Sequence, residues 1–143
     1  DLMQRYERKI INNVLHMCLN WSYAYNDSDM KENKLIAEFM NLNVVTINDI
    51  KRNKNPYIES ADGYTIQELQ YNTSWDWLMP VIEKIETLGY TFEKNYQRID
   101  KDWQSLIVKG NDILYQEFND DSLKSSYYVL VEFIKQYNNE RNR

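Results

Sequence analysis

Residues 74–89 read SWDWLMPVIEKIETLG, and this stretch decides the fold class. Ser74 can cap the first turn of a helix, Pro80 falls within its first two turns, and Gly89 supplies a left-handed stop. Apolar residues recur at helical spacing between these signals. The predicted buried stripe consists of Trp77, Val81, Ile85 and Leu88.

The residues after Gly89 change to the β-branched and aromatic composition of strands. Turns are predicted at Asn95, at Asp100–Asp102 and at Lys109–Asp112. Four strands are expected between these turns, at residues 90–93, 96–99, 103–108 and 113–118. A terminal helix follows from Leu123 to about Asn138. Its predicted inward face is Tyr127, Leu130, Val131 and Ile134.

The N-terminal half is predicted to contain two helices followed by short strands. Apolar spacing predicts a long helix over residues 2–24 and a shorter one over residues 30–41. The pair Asp62-Gly63 is a hairpin signal. Two or three strands are predicted on this side, among residues 44–47, 57–59 and 64–66.

The order of these elements predicts an α+β fold, with an antiparallel sheet of five to six short strands and about four helices packed on it. We expect one domain over residues 1–143. Within it, residues 1–29 form an extra N-terminal helix, residues 30–138 the α+β core, and residues 139–143 a frayed polar tail.

Composition limits the classes of partner. The 143-residue chain has a net charge of -5, which argues against direct binding to DNA or RNA phosphates and is compatible with docking on a basic surface. A lone Cys18 excludes an intramolecular disulfide and suits a reducing compartment. No apolar run reaches the roughly 18 residues of a membrane span. The expected localisation is cytoplasmic, without membrane contact.

Residues that carry catalytic or metal chemistry are few. His16 and Cys18 point to different sides of the first predicted helix, so a Cys–His pair and a structural zinc site are both disfavoured. Asp27-Ser28-Asp29 begins like a calcium loop, but Lys31 occupies a ligand position. The glycines are isolated, which disfavours a phosphate-binding loop. We therefore predict no catalytic residue, no cofactor and no metal.

Five side chains are candidates for binding a partner. Trp75 lies about 200° around the helix from Trp77, so it faces away from the buried stripe. Two aspartate pairs follow predicted strands, where Asp also suits turns and helix caps. The candidates are Trp75, Asp100, Asp102, Asp120 and Asp121. The basic stretch at residues 51–54 is interpreted as a solvated loop.

Three segments carry a resemblance to a known family. They are NKLIAEFM at residues 33–40, YNTSWDWLMPVIEKIE at 71–86 and VEFIKQYN at 131–138. They resemble the NKLIAEFM, YHTSWDWLMPVVEKIE and VVEFIKWYN helices of small proteins of unassigned function that are common in Bacteroidetes genomes and their phages. The resemblance covers roughly residues 30–138. Asn72 and Gln136 depart from the family's usual His and Trp, so no role is carried over to them.

This resemblance implies a phage setting, in which small acidic proteins include anti-CRISPR inhibitors. The hypothesis is a non-catalytic inhibitor that binds a type VI-B RNA-guided RNA nuclease and impairs its handling of guide or target RNA. One alternative is a host regulatory protein–protein interaction module. The other is a metal-dependent enzyme that uses Asp100, Asp102 or Asp120.

Overall fold

The computed structural model describes Gln4, Arg8, residues 27–45 and residues 63–142. The predicted helix over residues 2–24 and strand over residues 57–59 lie outside the described residues, apart from Gln4 and Arg8. Contacts divide the chain into two compact units, Asp1–Leu69 and Gln70–Arg143, and each is described by itself.

The first unit contains helix α1, Asp27–Phe39. Its apolar side chains Ile36, Ala37 and Phe39 are buried. The helix ends because Asn41 adopts a left-handed φ of 58°, which Asn tolerates better than most residues. The predicted second helix is therefore confirmed, with a start three residues earlier than expected.

The predicted strand over residues 64–66 is wrong. Tyr64 forms a single parallel bridge with Val44, and a 3₁₀ helix then occupies Ile66–Glu68 instead of a strand. Glu68 folds back to accept hydrogen bonds from the Thr65 backbone N–H (3.1 Å) and hydroxyl (2.9 Å). This local carboxylate contact satisfies groups that a strand would have bonded to a neighbour.

The second unit contains three antiparallel strands: β1, Thr91–Gln97; β2, Asp102–Lys109; and β3, Asp112–Asn119. Their order is β1-β2-β3. The α+β class and the antiparallel sheet are thus confirmed for the described residues, whereas five to six strands are not found among them. Two predicted strands are one, because Asn95 continues β1 and pairs with Gln104. Asn95 is exposed at a sheet edge, where its low strand propensity costs little.

Helix α2, Trp75–Thr87, begins and ends where the sequence predicts. Gly89 has a φ of 97° and stops it, and Pro80 lies in its second turn. The buried stripe differs from the predicted one, because Leu88 is 39 % exposed and Trp77 is half-buried. The side chains that are buried are Leu78, Val81, Ile82 and Ile85.

Helix α3, Ser122–Arg141, packs against β2, β3 and α2. The four residues of its predicted inward face are all buried. It continues to Arg141, beyond the predicted end at Asn138 and into the expected tail. Phe133 on this helix contacts the rings of Tyr90, at a centroid distance of 4.8 Å, and Tyr115, at 6.2 Å.

Three fully buried hydroxyls join α3 to the central strand. Ser105 Oγ lies 2.7 Å from Ser125 Oγ and 3.0 Å from Ser126 Oγ. Both helix hydroxyls also contact the carbonyl oxygen of Ser122, at 3.0 and 2.8 Å. Three hydroxyl hydrogens serve these four contacts, so one contact lacks a hydrogen in any arrangement. The small side chains let the helix backbone lie close to the sheet.

The face of the sheet opposite α3 carries a ladder of amides. Gln97 Nε2 donates to Gln104 Oε1, and Gln104 Nε2 donates to Gln116 Oε1, each at 3.1 Å. The ladder crosses all three strands. The ladder therefore satisfies side-chain amide groups of all three strands with one another.

Replacing Ser105 tests how much the hydroxyl contacts between β2 and α3 contribute to the free energy of unfolding. Ser105→Ala is expected to lower the free energy of unfolding by about 1–2 kcal/mol, because the buried hydroxyls of Ser125 and Ser126 lose a partner. Ser105→Val is expected to cost about 1–3 kcal/mol through overpacking. The control is Thr91→Ala at an exposed strand position, with a change below about 0.5 kcal/mol. Chemical denaturation measures all three, and a Ser105→Ala value equal to the control would contradict the assigned role.

Candidate interaction site

The strand register brings the predicted aspartates to one end of the sheet. Trp103 at the start of β2 pairs with Asn119 at the end of β3, so Asp102 and Asp120 occupy the next positions. Asp100 lies in the turn that joins β1 to β2, and Asp121 follows Asp120. We call residues 96–103 and 118–121 the hairpin end.

The four carboxylates of the hairpin end have different surroundings. Asp121 caps α3, and its side chain accepts a hydrogen bond from the Leu123 backbone N–H at 2.8 Å. Asp102 is half-buried, and its Oδ1 is screened from solvent with no hydrogen-bond partner in the described part of the chain. Asp100 and Asp120 are exposed. These two carboxylates are therefore the ones open to a partner.

Exposed apolar side chains lie among these charges. Ile99, at the tip of the turn, is 95 % exposed, and Tyr96 and Phe118 are each 50 % exposed. Apolar groups of this size gain free energy when a contact removes them from water, roughly 1.5–3 kcal/mol for a full side chain. The hairpin end thus combines an apolar contact area with surrounding charge, as protein-binding surfaces do.

Trp75 belongs to the same end through a lysine. Lys94 Nζ lies 4.4 Å from the centroid of a Trp75 ring and 5.3 Å from a Trp103 ring. Tyr96 contacts Trp103 at a centroid distance of 5.2 Å. Because Trp103 directly follows Asp102, this cluster extends the hairpin end toward the start of α2.

The charge of the hairpin end is negative on balance. Its four aspartates outnumber its two basic residues, Arg98 and Lys101. Neither basic side chain forms an ion pair with a described residue. The excess of carboxylates favours a basic partner over an acidic one.

Further carboxylates line the helix side of β3. Burial raises the pKa of Tyr115 above its ordinary value of 10.0, and the charges of Glu140, Tyr90 and Glu132 raise that pKa further. Glu117, within the strand, is also half-buried. The negative field therefore continues along β3 from the hairpin end.

The sequence predicts Trp75 and the four aspartates as candidates for binding, whereas Tyr96, Ile99 and Phe118, which are exposed at the same end of the sheet, were not predicted. One signal was visible, because Ile99 stands between the charged residues Arg98 and Asp100. His16, Cys18 and residues 51–54 lie outside the described residues. Asp29 lies in the first turn of α1.

The described residues contain no group of three or more His, Cys, Asp or Glu side chains that could hold a metal ion. No helix among them is both long enough and apolar enough to cross a bilayer.

Comparisons with known proteins return no counterpart: no family model, curated protein or solved structure matches the chain.

The lysine–tryptophan contacts predict a measurable stability difference. Lys94→Met keeps most of the apolar stem but removes the charge, so the free energy of unfolding should fall by about 0.5–1 kcal/mol. Lys124→Met, at another exposed lysine, is the control and should change it by less. Thermal or chemical unfolding decides, and equal effects of the two substitutions would contradict the contact.

The surroundings of Tyr115 predict that its phenol ionises at a higher pH than usual. Its phenol should ionise at a higher pH than exposed tyrosines, as followed by NMR of tyrosine-labelled protein. Since the folded protein holds this proton to higher pH than the unfolded chain, stability should fall as pH rises above about 10. Glu140→Gln should lower the pKa of Tyr115, and Glu86→Gln should leave it unchanged. An unshifted phenol would contradict the assignment.

Proposed function

We propose that this protein is a non-catalytic binding protein that docks its hairpin end on a basic surface of a protein partner in the cytoplasm. The observation that carries the proposal is the joint position of Asp100, Asp120, Ile99 and Phe118 at one end of the sheet. Two exposed carboxylates and two exposed apolar side chains offer a partner both charge and contact area.

The apolar and charged groups contribute differently to such a contact. Ile99 is the natural anchor, because a β-branched side chain at a turn has few rotamers to lose and is almost fully exposed before binding. Asp100 and Asp120 favour approach of a positive surface and act chiefly on the association rate. Binding should therefore weaken as salt is raised.

The partner class comes from the resemblance. It suggests an anti-CRISPR inhibitor whose target is a type VI-B RNA-guided RNA nuclease. A nuclease that holds RNA needs clustered Lys and Arg side chains, and an acidic surface competes for those side chains with RNA phosphates. Occupation of that surface would impair the handling of guide or target RNA without any reaction by the inhibitor.

Charge reversal at the hairpin end tests the proposal. The double variant Asp100→Lys/Asp120→Lys should bind a purified type VI-B nuclease at least about tenfold more weakly, because two attractive charges become repulsive. Ile99→Asp should also weaken binding. The matched control is Glu83→Lys/Glu86→Lys, which changes net charge equally at exposed positions of α2 and should bind as the parent protein does.

Affinity is measured by calorimetry and inhibition by cleavage of a reporter RNA. The proposed partner would be wrong if the parent protein formed no complex and left cleavage unchanged. The proposed site would be wrong if the hairpin-end variants matched the control. Thermal stabilisation by Mg²⁺ together with a turnover lost in Asp120→Asn would favour the metal-dependent enzyme instead.

A further inference from the structure

Strand β3 has an edge that no described strand covers. It is an outer strand of the sheet and pairs only with β2 among the described residues. No backbone group of β3 makes a hydrogen bond outside that pairing in the described part of the chain. Half of its N–H and C=O groups therefore point away from the sheet, and among the described residues no backbone group pairs with them.

The two edge strands are not equally protected. Strand β1 carries Lys94, whereas a helix packs against each edge strand, α2 against β1 and α3 against β3. Strand β3 contains neither lysine nor proline, the residues that commonly block edge pairing. Its apolar side chains Ile113, Leu114 and Phe118 are 57 %, 42 % and 50 % exposed. By residue type, the edge of β3 is therefore the less protected of the two against strand pairing.

A β-bulge limits how much of the β3 edge has regular strand geometry. The register with β2 shifts between Ile107 and Val108, which pair with Tyr115 and Ile113, so Leu114 is the extra residue. Residues 115–119 form the regular part that follows. Five residues suit the addition of one short strand.

The charge along this strand determines what kind of strand fits. Residues 112–121 read DILYQEFNDD, with four carboxylates and no basic side chain. A second copy paired antiparallel about a twofold axis would place these carboxylates beside the same four in its partner, which is unfavourable. Lys or Arg side chains on an added strand would face them favourably.

We propose that the outer edge of β3 accepts an extended basic peptide segment of the partner by β-strand addition. Backbone hydrogen bonds along residues 115–119 would supply affinity. Contacts of basic side chains with Asp112, Glu117 and Asp120 would supply specificity. This inference deepens the proposed function, on which it rests, by stating which part of a partner is bound and how.

A pair of synthetic peptides tests the mechanism without altering the protein. The first is an acetylated and amidated eight-residue peptide that alternates Lys and Val. Its twin carries N-methyl groups on every second residue along one edge, which removes the donors needed for pairing and keeps the charge. Peptides with Glu in place of Lys serve as the charge control.

The full chain is titrated with each peptide and followed by NMR. We expect the Lys peptide to shift β3 resonances and to slow hydrogen exchange at the β3 amides that point away from β2 by at least about tenfold. The N-methylated twin should bind at least about tenfold more weakly, and the Glu peptide should not bind. Equal binding of the twin, or shifts that spare β3, would overturn the proposal.

Charge variants of the protein provide a second readout. Asp112→Asn/Glu117→Gln should weaken binding of the Lys peptide by about tenfold, while the control Glu83→Gln/Glu86→Gln should not. Sedimentation should show a monomer, and a dimer that protects β3 would overturn the choice of occupant. Nuclease binding lost only in the hairpin-end variants, without peptide binding, would reject strand addition and leave the proposed function standing.

Discussion

The close approach of helix α3 to the central strand is the constraint on which the second unit depends. Ser105, Ser125 and Ser126 are each fully buried, and only side chains of about this size leave room for hydroxyl contacts of 2.7–3.0 Å between a helix and a sheet. These contacts fix where α3 lies. Its buried apolar residues can then cover one face of β2 and β3, with Phe133 between Tyr90 and Tyr115.

Among the described residues, helices α2 and α3 pack against the three-stranded sheet, and the hairpin end lies at the surface. The glutamine ladder pairs side-chain amides across the face opposite α3. The outer edge of β3 has no strand partner among the described residues, and the hairpin end exposes Ile99 and Phe118. The carboxylates of the hairpin end differ in their roles. Asp121 is engaged in capping α3, while Asp100 and Asp120 remain exposed, so one acidic segment supports the fold and also gives the surface its charge.

Several features follow from the sequence alone because their causes are local. The α+β class, the bounds of α2, the stop at Gly89 and the inward face of α3 all depend on residues within a few positions of one another. The candidate aspartates could also be named from the sequence, since acidic pairs after strands are visible there. The sequence pattern does not show which strands pair with one another or in which register.

Only the tertiary structure decided the rest. Asn95 has the local character of a turn residue, but pairing with Gln104 keeps it in a strand. The pairing of Trp103 with Asn119 brings Asp102 and Asp120 together across eighteen positions of the chain. The physical reason is that hydrogen bonds between strands and the burial beneath α3 outweigh the local preference of single residues. Those energies depend on partners distant in sequence.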